Sequence, residues 1–126
     1  MPNRAIRART PELALAIALL LIACAPEPPA QEPIARGRQV YQRMNCGACH
    51  DANLFGQRSA PPLEHIGTIA MTRRPDVSAA DYIRESIVDP GAYVVPGYPD
   101  AMPRALGRDL TPTDLEALVT YLASLK

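Results

Sequence analysis

The sequence predicts an all-α domain, and three observations carry the prediction. Leu115, Leu118, Val119, Leu122 and Leu125 recur at helical spacing behind a Thr111-Pro112 start. A second helical segment runs from about Ala79 to Val88, opened by Ser78 and closed by Asp89-Pro90-Gly91. No stretch of the 126 residues alternates apolar and polar side chains as a strand does, and no internal repeat is visible. The chain has no Trp and one Phe. So short a domain, poor in large aromatics, calls for a staple or a cofactor to complete its core. The formal net charge is zero, which gives no electrostatic reason to expect nucleic acid or an acidic surface as partner.

In chain order, residues 1–23 read as an export signal. MPNRAIRART carries three arginines and no acid, and LALAIALLLIA (13–23) is an uncharged run of eleven apolar residues. A membrane span needs about 20, so a retained membrane helix is the weaker reading. The run ends in LIAC, Leu21 to Cys24, which resembles the lipobox of bacterial lipoproteins. That resemblance implies cleavage before Cys24 and a diacylglycerol on its sulfur, two acyl chains that anchor stably where one is marginal. The alternative is an ordinary signal with a chance cysteine. Residues 24–33 then form a tether, with four prolines in APEPPAQEP (25–33). Residues 34–126 are left as the folded domain. From Cys24 onward ten Lys/Arg face twelve Asp/Glu, a formal charge of −2, and Lys126 is the sole lysine among them.

Within that domain Val40, Tyr41 and Met44 share one face of a first helix over residues 34–45. Gly37 costs that helix about 1 kcal/mol against alanine. The expected reason is a close crossing by the last helix, with Tyr121 beside the gap. Residues 51–77 read as loop, with a short turn near His65 to Met71. Tyr82, Ile83, Ser86 and Ile87 of the middle helix are expected to face the functional site. Residues 94–110 form a proline-rich loop holding Met102 between Pro99 and Pro103. For the last helix, Thr111 is the predicted cap, Pro112 the first helical residue and Asp114 the residue three beyond the cap.

The chemistry centres on CGACH, Cys46 to His50. C-x-x-C-H is the attachment signature of c-type haem. Two thiols three positions apart on a helical turn each add to one vinyl group, and the adjacent histidine addresses the iron from one face. A structural zinc site wants four Cys or His ligands, and outside the motif only Cys24 and His65 remain after the signal. A thioredoxin-like dithiol wants a βαβ context, and no strand flanks this one. The three cysteines are then accounted for: Cys24 for lipid, Cys46 and Cys49 for haem.

Four segments together resemble class I cytochrome c over residues 34–126: ARGRQVYQRMNCGACH as first helix and motif, SAPPL (59–63) with Ala60 in place of the usual Gly, YPDAMPR (98–104) as the axial-methionine loop, and LTPTDLEALVTYLASL as the closing helix. The stretch SIVDPGAYVVPGYPDAMP is closest to cytochrome domains attached to, or partnered with, bacterial haem-copper oxidases. The resemblance implies a cytochrome c fold, three main helices plus loops around one covalent haem c and its iron. It implies His50 as proximal ligand, the Pro61 carbonyl as acceptor for the imidazole Nδ1 hydrogen, and Met102 as sixth ligand. His65, Met44 and Met71 are the other candidates for the sixth position.

His/Met ligation raises a haem's potential and leaves no open iron site, so one-electron transfer is the expected function. The resemblance implies redox protein partners, a terminal oxidase or quinol-oxidising complex, with the membrane reached through the lipid anchor. No nucleic acid and no small-molecule substrate are expected, and the location is the extracytoplasmic face of a membrane. The alternative is a haem peroxidase or a small-ligand sensor in which the sixth ligand is labile. With almost no lysine, docking is expected to use arginines such as Arg58, Arg73, Arg74 and Arg104, or apolar contact.

Overall fold

A left-handed asparagine, two side-chain caps and three X-Pro steps set most of the helix boundaries. The computed structural model describes residues 32–126. Among them are six helices and no strand: α1 (Glu32–Arg43), α2 (Gly47–His50), α3 (Ile66–Arg73), α4 (Ala79–Val88), α5 (Leu106–Asp109) and α6 (Pro112–Ser124). This is the all-α arrangement expected. The signal segment, Cys24 and most of the Pro-rich tether lie outside the described residues. No described helix is long and apolar enough to cross a membrane.

α1 ends at Asn45, which takes φ 55°, a region that asparagine tolerates better than most residues. The Cys46 amide then reaches back to the Tyr41 carbonyl (3.2 Å), and the Asn45 amide to Gln42 (3.1 Å). This pair of bonds is a Schellman ending, and it turns the chain straight into α2. α4 starts where predicted: the Ser78 hydroxyl accepts from the Asp81 amide at 3.1 Å. At the start of α6, Thr111 does the same for Asp114, also at 3.1 Å, with Pro112 in the first turn. Each cap satisfies an amide that the helix leaves orphaned. Arg74, Asp89 and Thr111 all precede proline and all leave the helical region, with ψ of 82°, 71° and 156°, as the proline ring demands of its predecessor.

The core is one cluster around α6. Leu118, Val119 and Leu122 pack with Val40 of α1, Ile66 and Ala70 of α3, and Tyr82, Ile83 and Ile87 of α4. α1 and α6 form the most extensive helix pair. Gly37 sits at their crossing, where a Cβ would overlap the Ala117 carbonyl oxygen and stand 2.5 Å from the Tyr121 Cβ. The Tyr41 and Tyr121 rings meet edge to face at 5.9 Å along the same seam.

The expected turn at His65 to Met71 is instead the two-turn helix α3. Its buried face is only Ile66, Gly67 and Ala70, too small to raise an apolar stripe in the sequence. Tertiary contact makes the helix: the Gly67 amide donates to the Leu125 carbonyl at 2.9 Å. A Cβ there would overlap the Ala123 carbonyl and lie 2.8 Å from the Leu125 oxygen. α5, a single turn, stands inside what the sequence presents as uninterrupted loop.

Ion pairs lace the helices to α6. Arg36 and Arg43 of α1 both bond the Asp114 carboxylate at 2.8 Å, and Arg84 of α4 grips Glu116 through two bonds of 3.0 and 2.7 Å. The bond from Arg36, with the charges of Arg36 and Arg43, holds the Asp114 carboxyl below the usual carboxylate range. A carboxyl whose pKa is depressed by folding stabilises fully above its unfolded pKa, about 3.9 for Asp, and loses that contribution as pH falls through the folded value. Asp114→Asn is therefore expected to melt at a lower temperature than wild type at pH 7. The two melting curves should converge in acid, once Asp114 is protonated in the fold; thermal melts across the acid range check this.

Candidate functional site

α2 is a single turn, and its brevity places three reactive side chains together. The Cys49 and His50 amides both bond the Cys46 carbonyl, at 3.3 and 3.2 Å, fixing the two thiols and the imidazole on adjoining positions of one turn. Cys46 is part-buried and Cys49 exposed, and they are not joined in a disulfide. Burial pushes the pKa of the unattached Cys46 thiol up.

The chain after α2 returns to it. The Ser59 and Ala60 amides donate to the Cys49 carbonyl at 3.2 and 3.1 Å. That staple delivers the next residue, Pro61, whose carbonyl oxygen lies 2.6 Å from His50 Nδ1. A carbonyl only accepts, so Nδ1 carries the proton and Nε2 keeps a lone pair for a metal. The Tyr41 hydroxyl donates to Asp51 at 2.8 Å, tying α1 to the residue after His50. Burial, reinforced by the Asp51 acceptor, holds the Tyr41 phenol protonated far above its ordinary range.

Cys46, Cys49, His50, Pro61 and Met102 all line one cavity of about 310 Å³, within the ~300–1,000 Å³ of typical cofactor pockets. α4 contributes Tyr82, Ile83, Ser86 and Ile87, the four residues expected to face the site, and α6 contributes Leu118 and Leu122. Of the four candidates for a second axial ligand, Met102 and Met44 line the cavity, whereas Met71 and His65 are exposed and do not. The Met102 loop is braced on both sides: Arg104 bonds Asp100 at 2.5 Å and approaches Asp89, beyond α4, at 3.8 Å. A more open, more polar depression of about 480 Å³ beside Gly47, Asp51 and Asn53 contains neither His50 nor Met102.

Two features of the site escape sequence reasoning. Tyr93 packs edge to face on Tyr82 at 5.9 Å and lines the cavity; a lone tyrosine in a loop gives no periodic signal. Arg73, expected on the docking surface, is instead a wall residue whose guanidinium meets the Tyr82 hydroxyl at 3.3 Å. Its helix, α3, was itself illegible, so its facing was too. Three other docking arginines are engaged within the chain: Arg58 with Glu64, Arg74 with Asp76 and Glu85, and Arg104 with Asp89 and Asp100.

These residues fit haem c. The walls are mainly aliphatic and aromatic, two thiols and a tautomer-fixed imidazole stand on one turn, and Arg73 with the Tyr82 hydroxyl offers donors suited to carboxylates. Among the described residues no three His, Cys, Asp or Glu side chains converge as a metal cluster. Comparison with known proteins agrees. The cytochrome c oxidase subunit 2 of Alkalihalophilus pseudofirmus is 28% identical over 104 residues, covering 79% of this chain. The alignment takes in 28% of that protein's own length. No solved structure gives a significant match. The Cytochrome c family model matches residues 34–126, from α1 through to the last residue. Covalent haem c with its iron is the cofactor this family carries, and by the match and the motif geometry together the chain belongs to the cytochrome c family.

Proposed function

We propose that the chain is a one-electron carrier of a respiratory chain, with His50 and Met102 as the two axial ligands. Cys46 and Cys49 hold the haem covalently, and Pro61 sets the His50 tautomer. Haem c supplies the one-electron couple. The observation that carries the reading is the shared cavity: a nitrogen ligand with its proton fixed away from the metal position, and a braced thioether, open onto the same apolar space. The apolar walls exclude water, which favours the less charged reduced state, and a neutral thioether acts in the same direction. With both axial positions filled by the protein, no place remains for peroxide or another small substrate.

The lipobox-like LIAC gives the proposal its place in the cell: Cys24 lipidated, the domain tethered by residues 25–33 on the extracytoplasmic face of the membrane. The similarity to an oxidase subunit supports a terminal oxidase, or a quinol-oxidising complex working with one, as partner. Spectroscopy tests the ligand set. The ferric protein is expected to show the weak near-infrared methionine-to-iron band, and the ferrous protein a low-spin spectrum that does not shift under carbon monoxide at neutral pH. A high-spin protein that binds carbon monoxide readily would overturn the carrier reading in favour of an enzyme or a sensor.

A further inference from the structure

The loop after CGACH displays two large apolar side chains that the fold does not use. Leu54 is 101% exposed and Phe55 85%. The loop holds its shape without them. Asn53 Oδ1 accepts from the Phe55 and Gln57 amides at 2.9 and 3.0 Å. The Asn53 amide donates to Gln57 and the Gly56 amide to Asn53, each at 2.9 Å. The returning limb of the loop is the one stapled to the Cys49 carbonyl. A self-braced tip, its return limb stapled to the carbonyl of Cys49, therefore presents Leu54 and Phe55 to whatever approaches the chain beside that cysteine.

Resting on the carrier reading above, we propose that Leu54 and Phe55 form the docking contact for the redox partner protein, and that the partner meets them with an uncharged, apolar surface at its electron entry point. Charge decides the partner's chemistry. Residues 52–57, which form the tip, carry no ionic side chain, and of the two that flank it Arg58 is paired with Glu64 while Asp51 accepts from the Tyr41 hydroxyl, so the apolar tip itself gives a charged surface nothing to pair with. Insertion into a bilayer is disfavoured on the same ground, because interfacial apolar residues bind anionic lipid with the help of free basic neighbours. Area argues against a stable second copy. A phenylalanine contributes roughly 150–250 Å², so the pair falls far short of the ~1,200–2,000 Å² of a durable interface and suits a brief redox encounter. At that encounter one electron passes to the partner's acceptor, which is reduced as the carrier is oxidised.

The test uses the full-length ferrous holoprotein and its Leu54→Ser/Phe55→Ser double variant. Oxidation is followed with respiratory membranes from the producing organism, after deletion of the gene, and with ferricyanide as a partner-independent oxidant. The variant is expected to react at least about fivefold more slowly with membranes, while its ferricyanide rate, spectrum and midpoint potential stay those of wild type. The wild-type rate with membranes should change less than about twofold between 20 and 200 mM salt. Equal membrane rates for variant and wild type would overturn the docking contact while leaving the carrier reading intact. Wild-type protein that the membranes do not oxidise at all would remove the carrier reading and the docking proposal with it. The lipid on Cys24 would mask any vesicle binding by the tip, so that comparison uses residues 25–126 exported behind an ordinary cleavable signal: if the substitutions abolish its cosedimentation with phosphatidylglycerol vesicles, or its self-association in ultracentrifugation, the tip belongs to lipid or to a second copy and the proposal is wrong.

Discussion

Met102→Ala is expected to keep its covalent haem and lose the near-infrared methionine band, with the midpoint potential falling by about 0.1 V, within the roughly 0.8 V that axial ligands span. The two outcomes separate because the groups reside on different segments. Cys46, Cys49 and His50 are fixed by the Schellman ending of α1 and by the Pro61 bond, none of which involves residues 98–104. Alanine at 102 removes the sulfur and cannot be replaced from nearby. His65 and Met71 are exposed and outside the cavity. Met44 does line it, but its amide closes the last turn of α1 on Val40 at 2.8 Å, and it is one residue from the asparagine that redirects the chain. Met44→Ala and Met71→Ala are therefore expected to retain the band. Electronic absorption and a redox titration of the three variants check the assignment, and a band that survives in Met102→Ala but vanishes in Met44→Ala would transfer the ligand role to Met44.

Where a local pattern has a local cause, the sequence was readable. Ser78 and Thr111 cap because their hydroxyls reach amides three residues on, and Pro75 and Pro90 end two helices while Pro112 opens a third, because the proline ring acts on the residue before it. CGACH was readable because its spacing is itself the geometry of the site. The middle helix was legible together with the face it presents, since Tyr82, Ile83, Ser86 and Ile87 all open onto the cavity. α3 was not, because its cause lies about 55 residues away, in the backbone of the last helix that Gly67 meets. Arg73 was misplaced for the same reason, riding on a helix whose register nothing local announces. The pairing of Arg58, Arg74 and Arg104 was equally hidden, since an exposed arginine and a paired one look alike in a sequence. That pairing moves the weight of recognition from charge toward the apolar alternative, and Leu54 and Phe55 are where the fold leaves apolar surface uncovered beside the motif.

Gly37→Ala carries the other large expected effect, and its sign goes against helix propensity. On propensity alone alanine would stabilise α1 by about 1 kcal/mol. Against this, the new Cβ would coincide with the Ala117 carbonyl oxygen and press on the Ala117 carbonyl carbon at 2.7 Å and the Tyr121 Cβ at 2.5 Å. The first two are backbone atoms within α6, so no rotamer change relieves them and the helices must move apart. Overpacking of this kind costs about 1–3 kcal/mol, occasionally more. Separation also loosens fully buried Val40 against Leu118 and Leu122, together with the Tyr41–Tyr121 contact. The net expectation is a loss of about 2 kcal/mol. Because α1 runs directly into the attachment turn, the yield of haem-loaded protein should fall as well. Gln39→Ala, on the exposed side of the same helix, supplies the contrast: it gains slightly in propensity and meets no neighbour across the seam. Denaturant unfolding of the two variants separates the explanations, since a Gly37→Ala protein as stable as Gln39→Ala would mean that the crossing, and not the glycine, is adjustable.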